Sequence, residues 1–395
     1  MNIAVTNTRK DSAEILIERA RSLIPVLRQR AAQTNVDRHL PKETIEDYRR
    51  LELTRCLQPA MFGGRASNYH VFSKMLRTLA QGCGSSAWVA AVHGEHSWVI
   101  GQYPEKAQRE VWGDNPLAVA SASFPPTGAA ERAPGGHRLN GKWSYASGCD
   151  YAQWLLLNAA VKEGGKPEER LFLVPAGEVE IVDDWHVMGL AGTGSKSVVL
   201  KNVAVPDYRS VSLHELKTGT GPGAAVHRDN ALYRTPRSLL ASFSLSSVCV
   251  GLAERAVAEF EDITRNRLSR GVRVAEIEAV QLKLAEAAVQ AETVAALIEQ
   301  TIDRNIEAVE SRREITAEHV AWTKRNSSYA TQMSRTVVST IFEIAGGSAL
   351  YASNPLQEIF RDTMAGTSHL SLAWHRTAPA YGQIRFGLPV DFDTL

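Results

Sequence analysis

Apolar positions along the chain fall into three textures. From about Asp11 to Trp112 they recur at three- and four-residue steps: Leu16, Ala20, Leu23 and Leu27 make one stripe, and Tyr69, Phe72, Met75 and Leu79 make another. That period predicts helices packed on one face. Between the stripes, "LPKETIEDYRRL" opens with proline and acids, as a helix start should. The stretch "SSAWVAAVHGEHSWVI", Ser85 to Ile100, is almost wholly apolar, with Val89, Val92, His96 and Val99 at helical steps. It predicts a buried helix with an ionisable imidazole on its covered stripe.

From roughly Asn115 to Ser212 the runs become short and β-prone. "WLLLNAAV", "RLFLVP" and "SVVLKNVAVP" read as strands, broken by the turn formers in "APGGHRLNGKW", "KEGGKPEER" and "LVPAGE". After "LKTGTGPGAAVHRDN" the helical period returns. Ile277, Val280, Leu284, Ala287, Ala291, Val294 and Ile298 line one side of a segment free of proline and glycine, followed by "AEHVAWTKRNSSYATQMSRTVVSTIFEIA". Long helices in succession predict a four-helix bundle, an architecture that often mediates oligomers. The expected fold class is α+β: an N-terminal helical domain over 1–113, a middle β barrel or sandwich over 114–215, and a C-terminal bundle over 216–395.

Composition narrows the function. Lysine and arginine total 44 against 43 aspartates and glutamates, which leaves no basic field for nucleic acid or anionic lipid. Cys56, Cys83, Cys149 and Cys249 form no CxxC pair and read as ordinary buried thiols of a reducing compartment. The N-terminal stretch shows no signal-peptide pattern, and no run approaches the length needed to cross a bilayer, so the chain is expected in the cytoplasm. In "LAGTGSKS" Ser195 separates Gly194 from Lys196, and a strand follows where a helix should begin; this is a turn into a hairpin, not a phosphate loop. "HGEH" places two histidines on one helix face, but no further ligand cluster accompanies them, so no metal is expected.

Helices, a β domain and a bundle, in that order, resemble the acyl-CoA dehydrogenase fold over nearly the whole chain. "HVMGLAGTGSKSVVLKNVAVPDYR" is similar to that family's middle-domain signature. "FEDITRNRLSRG" with Gln281 resembles its flavin-contacting arginine segment, and "EIAGGSALYASNPLQEIFRD" its Gly-Gly and Arg-Asp region. In dehydrogenases of this fold a glutamate shortly after the Arg-Asp pair removes the substrate proton. Here "RDTMAGTSHLSLAWHR" has no carboxylate between Asp362 and Arg376, and His369 stands near that place. "GSSAWVAAVHGEHSW", "WGDNPLAVASASFPPTG", "LNGKWSYASGCDYAQW" and "RDTMAGTSH" together resemble the oxygenase component of two-component flavin monooxygenases, the p-hydroxyphenylacetate and secosteroid phenol hydroxylase type.

That resemblance implies reduced FMN or FAD as cosubstrate, O2, a C4a-hydroperoxyflavin and an aromatic small molecule, phenolic or indolic. It also implies a homotetramer. No GxGxxG follows a strand, so reduced flavin should come from a separate NAD(P)H:flavin reductase. The chemistry needs a water-poor pocket. The candidate roles are His96 as substrate-facing base or hydrogen-bond partner, with a pKa near 6.5, and His369 beside the hydroperoxide. His93 competes with His96. Trp88, Ser121 and Phe124 are the candidate substrate contacts; Ser123, Trp143, Ser147, Arg267, Gly346 and Gly347 are the candidate flavin contacts, Ser147 donating to or accepting from flavin N5. Alternatives are an acyl-thioester dehydrogenase with a carboxylate from elsewhere, a relative that oxygenates sulfur or nitrogen, and a helical assembly protein without flavin chemistry.

Overall fold

The computed structural model describes residues 3–161 and 167–392, with side chains from residue 14 onward. The expected turn "KEGGKPEER" begins outside the described residues. Helices α1 (Ile3–Asp37), α2 (Lys42–Arg50), α3 (Tyr69–Ala80), α4 (Gly84–Ile100) and α5 (Glu105–Trp112) build the first layer. Leu16, Ala20, Leu23 and Leu27 are all buried, as their spacing requires. In α4 all 17 residues are buried. It lies between α3, α8 and the first strand, so it has no outward face and no polar stripe.

The middle region is a sheet of β1 (Ala120–Ala133), β2 (Gly136–Ala146), β3 (Trp154–Val161), β4 (Glu168–Pro175), β5 (Glu180–Val182), β6 (Lys196–Pro206) and β7 (Ser210–Ser212). Its order is β5-β6-β2-β1-β3-β4-β7. The β1–β3 pair is parallel and its register shifts between Ser123 and Gly128; the other pairs are antiparallel. The sheet curls around a core of its own in which Leu139, Trp143, Leu155, Leu157, Phe172 and Val198 meet. Gly128 makes room for the Trp143 ring, since a Cβ there would lie 1.9 Å from Cζ2. The opposite face, through Ala120, Ala122, Leu156 and Leu171, joins the helical core.

Short α6 (Leu213–Thr218) and α7 (Gly223–Val226) lead to α8 (Arg237–Thr264). A two-stranded hairpin, β8 (Leu268–Ser269) with β9 (Val272–Arg273), precedes α9 (Glu278–Glu310), α10 (Ala317–Ala345), α11 (Pro355–Gly366) and α12 (Trp374–Arg385). Helices α8, α9 and α10 pack lengthwise, α11 and α12 close the bundle, and α3 leans on α8.

Two expectations need correction. Ile277 does not begin the packed stripe of α9: it is the residue before the helix and is exposed, while burial starts at Ala287. Among the described residues one helix, Arg237–Thr264, is both long and apolar enough to cross a bilayer, with a mean hydropathy of 1.3 over its most apolar stretch. That stretch is 83% buried inside the protein, so its apolar face is already covered.

Candidate active site

The spacing of α4 organises the site. Trp88, Val92 and His96 follow one another at four-residue steps, so they share a face, with Trp88 and His96 about 12 Å apart along the axis. At the C-terminal end of this row the imidazole of His96 lies 6.1 Å from the Phe124 ring, centroid to centroid. Its Nδ1 is 2.8 Å from the Ala120 carbonyl oxygen. A carbonyl only accepts, so Nδ1 carries the proton and Nε2 presents a lone pair. Burial first, and then the charges of His93 and Arg237, push the His96 pKa down to about 3, against the opposing bond to Ala120. Burial thus moves His96 away from the expected pKa near 6.5 and toward its neutral form, which suits a fixed hydrogen-bond acceptor better than a strong base.

His93 faces elsewhere. Its Nε2 lies 3.2 Å from the Gly148 carbonyl, and burial lowers its pKa to about 4. Gly148 has a φ of +71°, and a Cβ there would stand 2.6 Å from His93 Nε2. This contact seats α4 against the corner after β2.

Arg237, the first residue of α8, completes the His96 end. Its guanidinium lies over Phe124, 3.8 Å from the centroid, and its Nη2 donates to Glu95 Oε1 at 3.2 Å. The other Glu95 oxygen accepts from Ser244. Burial raises the Glu95 pKa against both partners. Burial, and then the charge of Arg237, lowers the pKa of His369, and the same charge acts on His96. At the N-terminal end of the row, His369 and Trp88 have ring centroids 5.9 Å apart. His369 is exposed in the single chain, so solvent at its open edge opposes the lowering that the crowded inner side imposes. Its Nδ1 also caps the turn at Ser371.

Behind α4 runs a line of hydroxyls. Ser147 Oγ and Ser195 Oγ are 2.6 Å apart, Ser195 Oγ and Thr193 Oγ1 are 2.7 Å apart, and Thr193 Oγ1 donates to the Leu190 carbonyl at 2.7 Å. The turn that carries Thr193 is clamped by α11. Asp362 Oδ1 accepts from the Leu190 N–H at 2.6 Å, and Arg361 donates to the Met188 carbonyl. Burial and the neighbouring Glu358 raise the Asp362 pKa to about 7.

The structure thus brings together His96 with Phe124, His369 with Trp88, and Ser147 with Ser121, all around α4. The remaining candidates fall into three groups by placement. Ser121 and Ser123 are buried and donate to the carbonyls of Ser147 and Ser144, so they brace the β1–β2 corner instead of lining open space. Trp143 belongs to the inner core of the sheet, where its Nε1 donates to Asn158 O. Arg267, Gly346 and Gly347 form a separate group at the far end of the bundle: Arg267 donates to the Ala345 carbonyl at 2.8 Å, and the two glycines have open space where a side chain would stand. Cavities of about 240 Å³ near Arg132 and Arg170, and of about 630 Å³ near Arg304 and Trp322, are lined by none of these residues.

Sequence reasoning missed Arg237, Ser244, Thr193, Ser195 and the clamp made by Asp362. Arg237 follows "TP" at a helix start and carries no local sign of Phe124, which lies 113 positions earlier. Among the described residues no group of three or more His, Cys, Asp or Glu side chains is placed to hold a metal ion. The four cysteines are buried thiols, each with its pKa pushed up to about 12 by burial.

The residues present suit a flavin with an aromatic substrate: Ser147 brings a hydroxyl for the flavin ring, and His96, with Nδ1 held on Ala120 O, brings Nε2 as an acceptor for the substrate beside Phe124. Comparison with known proteins agrees. Residues 243–374 match the family "Acyl-CoA dehydrogenase, C-terminal domain". The FADH(2)-dependent resorcinol hydroxylase oxygenase component of Rhizobium sp. is 33% identical, with 94% of each chain covered. The crystal structure of the HsaA monooxygenase from M. tuberculosis superposes with a TM-score of 0.92 at 32% identity, covering 97% of this chain and 100% of that one. XiaF from Streptomyces sp., in complex with FADH2 and glycerol, gives 0.91 at 25% identity, with 98% of both chains covered. The protein belongs to the family of flavin-dependent monooxygenase oxygenase components built on the acyl-CoA dehydrogenase fold.

Proposed function

We propose that this protein uses reduced FMN or FAD and O2 to hydroxylate an aromatic small molecule, phenolic or indolic. The observation that carries the reading is the contact of His96 Nδ1 with Ala120 O beside the Phe124 ring: it puts the proton on Nδ1 and leaves the Nε2 lone pair to accept a phenol O–H or an indole N–H. That hydrogen bond draws the proton away from the substrate heteroatom and enriches the ring in electrons. The bound flavin supplies the electrophilic oxygen, by way of its C4a-hydroperoxide. The chain positions substrate and flavin and excludes water, which the wholly buried α4 favours.

In this reading Trp88 and Phe124 hold the aromatic ring, His369 sits beside the reacting oxygen, and Ser147 meets flavin N5. Arg267, Gly346 and Gly347 meet the rest of a flavin shared with a second copy, in a homotetramer. Exposed apolar side chains on the β8–β9 hairpin and α9 support that assembly. The segments 1–113, 114–215 and 216–395 serve as its domains. A separate NAD(P)H:flavin reductase supplies the reduced flavin in the cytoplasm. The acyl-thioester alternative needs a carboxylate base at the site. Of the buried carboxyl groups, Glu95 is held through both oxygens by Arg237 and Ser244, and Asp362 is held through one oxygen by Leu190 N–H.

The test is anaerobic mixing of the protein and reduced flavin with oxygenated buffer, with and without a phenol such as resorcinol. A hydroperoxide absorbance band outliving that of free flavin, with hydroxylated product when the phenol is present, is the expected result. Oxidation at the rate of free flavin would sink the reading.

A further inference from the structure

The hydroxyl line behind α4 has a direction, and the direction follows from counting protons. Each serine or threonine hydroxyl has one hydrogen to donate and two lone pairs to accept with. Thr193 Oγ1 donates to the Leu190 carbonyl, which cannot donate back. Its hydrogen is therefore committed, and in the 2.7 Å contact with Ser195 it accepts. Ser195 has now given its own hydrogen, so in the 2.6 Å contact between Ser195 and Ser147 it is Ser147 that donates. Reversing any link leaves two oxygens at hydrogen-bond distance with no proton between them, or frees Thr193 from Leu190. The far end is fixed in turn. Leu190 adopts a left-handed backbone conformation at φ 52°, its N–H is held by Asp362, and its carbonyl also accepts from Trp185 Nε1.

Ser147 thus reaches the candidate flavin face with its hydrogen pointing away and only lone pairs to offer. Reduced flavin carries an N5–H donor, whereas oxidised flavin has a bare N5 that can only accept. We propose that the ordered chain Ser147→Ser195→Thr193→Leu190 O makes the site a redox-state selector, with Thr193 and Ser195 as positioning residues that hold Ser147 as an acceptor. This rests on the reading of Ser147 as the N5 partner, and it gives that residue a single sense where its identity alone allowed two. Reduced cosubstrate is accepted and the spent oxidised flavin is rejected by the same oxygen. A protein that borrows its flavin from another enzyme needs that discrimination for turnover.

The experiment is equilibrium binding of oxidised and anaerobically reduced FMN and FAD, followed by flavin fluorescence or absorbance, on wild type, Thr193→Val, Thr193→Ser and Ser147→Ala. Wild type should hold the reduced form at least about tenfold tighter, the scale of one well-placed hydrogen bond replaced by a repulsive contact. In Thr193→Val the terminal acceptor is lost at nearly constant volume. Ser195 can then donate to Ser147, freeing the Ser147 hydrogen for N5, so oxidised flavin should bind more tightly than to wild type and the ratio should fall toward one. Thr193→Ser keeps the chain and should restore the wild-type ratio, while Ser147→Ala should lose discrimination by weakening the reduced form. A purely structural role for Thr193 would weaken both redox forms together, and that result overturns the proposal, as does equal wild-type affinity for the two forms. Failure of wild type to bind either form would instead overturn the flavin reading beneath it.

Discussion

A histidine buried against an aromatic ring has to be neutral to be there, and His96 shows how that neutrality is fixed. Desolvation disfavours the imidazolium, and Arg237, stacked on the same Phe124, adds its own repulsion. The residue is then a directional acceptor whose orientation comes from Ala120 O. Replacing it with Asn should lower kcat/KM for hydroxylation by about a hundredfold or more, while reduced flavin still binds and oxygen consumption drains into hydrogen peroxide; the ratio of product to peroxide measures this. The same burial predicts a pH signature. Folding lowers the His96 pKa from about 6.5 to about 3, so below pH 6.5 the unfolded chain binds a proton that the native protein does not. The associated stability is complete above pH 6.5 and is lost as pH falls toward 3, at about 1.4 kcal/mol per unit. Asp362, raised to about 7, pulls the opposite way over its own range, because there the native state holds the extra proton. The informative quantity is thus a difference: relative to wild type, His96→Gln should gain stability as pH is lowered from 6.5 to 4, read by urea denaturation. A constant offset across that range would show that His96 is not the group responsible.

At the scale of elements the site is made by a few junctions, and the one between α11 and the Met188–Ser195 turn does the most. Asp362 holds Leu190 N–H, Gly189 packs on the Arg361 carbonyl, and Gly84 at the start of α4 lies against Asp362 Oδ2. One carboxyl group therefore ties the bundle to the turn bearing Thr193 and packs against the start of the helix bearing His96. Asp362→Ala should destabilise the protein by about 1 to 3 kcal/mol through the orphaned Leu190 N–H and should speed amide exchange in the turn. Asp362→Asn, which keeps an acceptor, should lose less. Unchanged exchange across residues 188–195 in the alanine variant would remove the clamp from the account. Much of this architecture was legible beforehand. The period of α3 and α4, the strands "WLLLNAAV" and "SVVLKNVAVP", and the helical run of α9 are local patterns, and local patterns fix local structure. The junctions are not local. Nothing around Arg237 announces Phe124, nothing around Asp362 announces Leu190, and Trp143 reads as a site aromatic until the curl of the sheet places it inside. The β8–β9 hairpin was also missed, because each of its strands is only two residues long.

The whole molecule leaves one apolar pattern unfinished, and that pattern argues for assembly. The stripe of α9 is fully packed from Ala287 onward, yet Val280 and Leu284 on the same stripe are only half-buried, and Leu282 and Val289 beside it are 65% and 56% exposed. The neighbouring hairpin adds Leu268 and Val272, and the turn after α10 adds Leu350 and Tyr351, all exposed. Exposed apolar side chains gathered on neighbouring segments in this way point to an interaction surface. Arg267, Gly346 and Gly347, the proposed flavin contacts that no element of the same chain brings to His96, lie beside it. If a second copy covers this face, association and flavin binding are one event. Leu282→Glu with Val289→Glu places two charges in the proposed contact while touching no residue around His96 or Ser147. The pair should reduce the proposed tetramer to smaller species by light scattering and weaken reduced flavin binding at least about tenfold, since each interface charge left unpaired and buried opposes closure. Circular dichroism and the melting of a correctly folded protomer separate this from misfolding. If the double variant keeps the wild-type mass and flavin affinity, this face is not the assembly surface. If it dissociates yet binds reduced flavin as wild type does, the Arg267 group plays no part in a shared site.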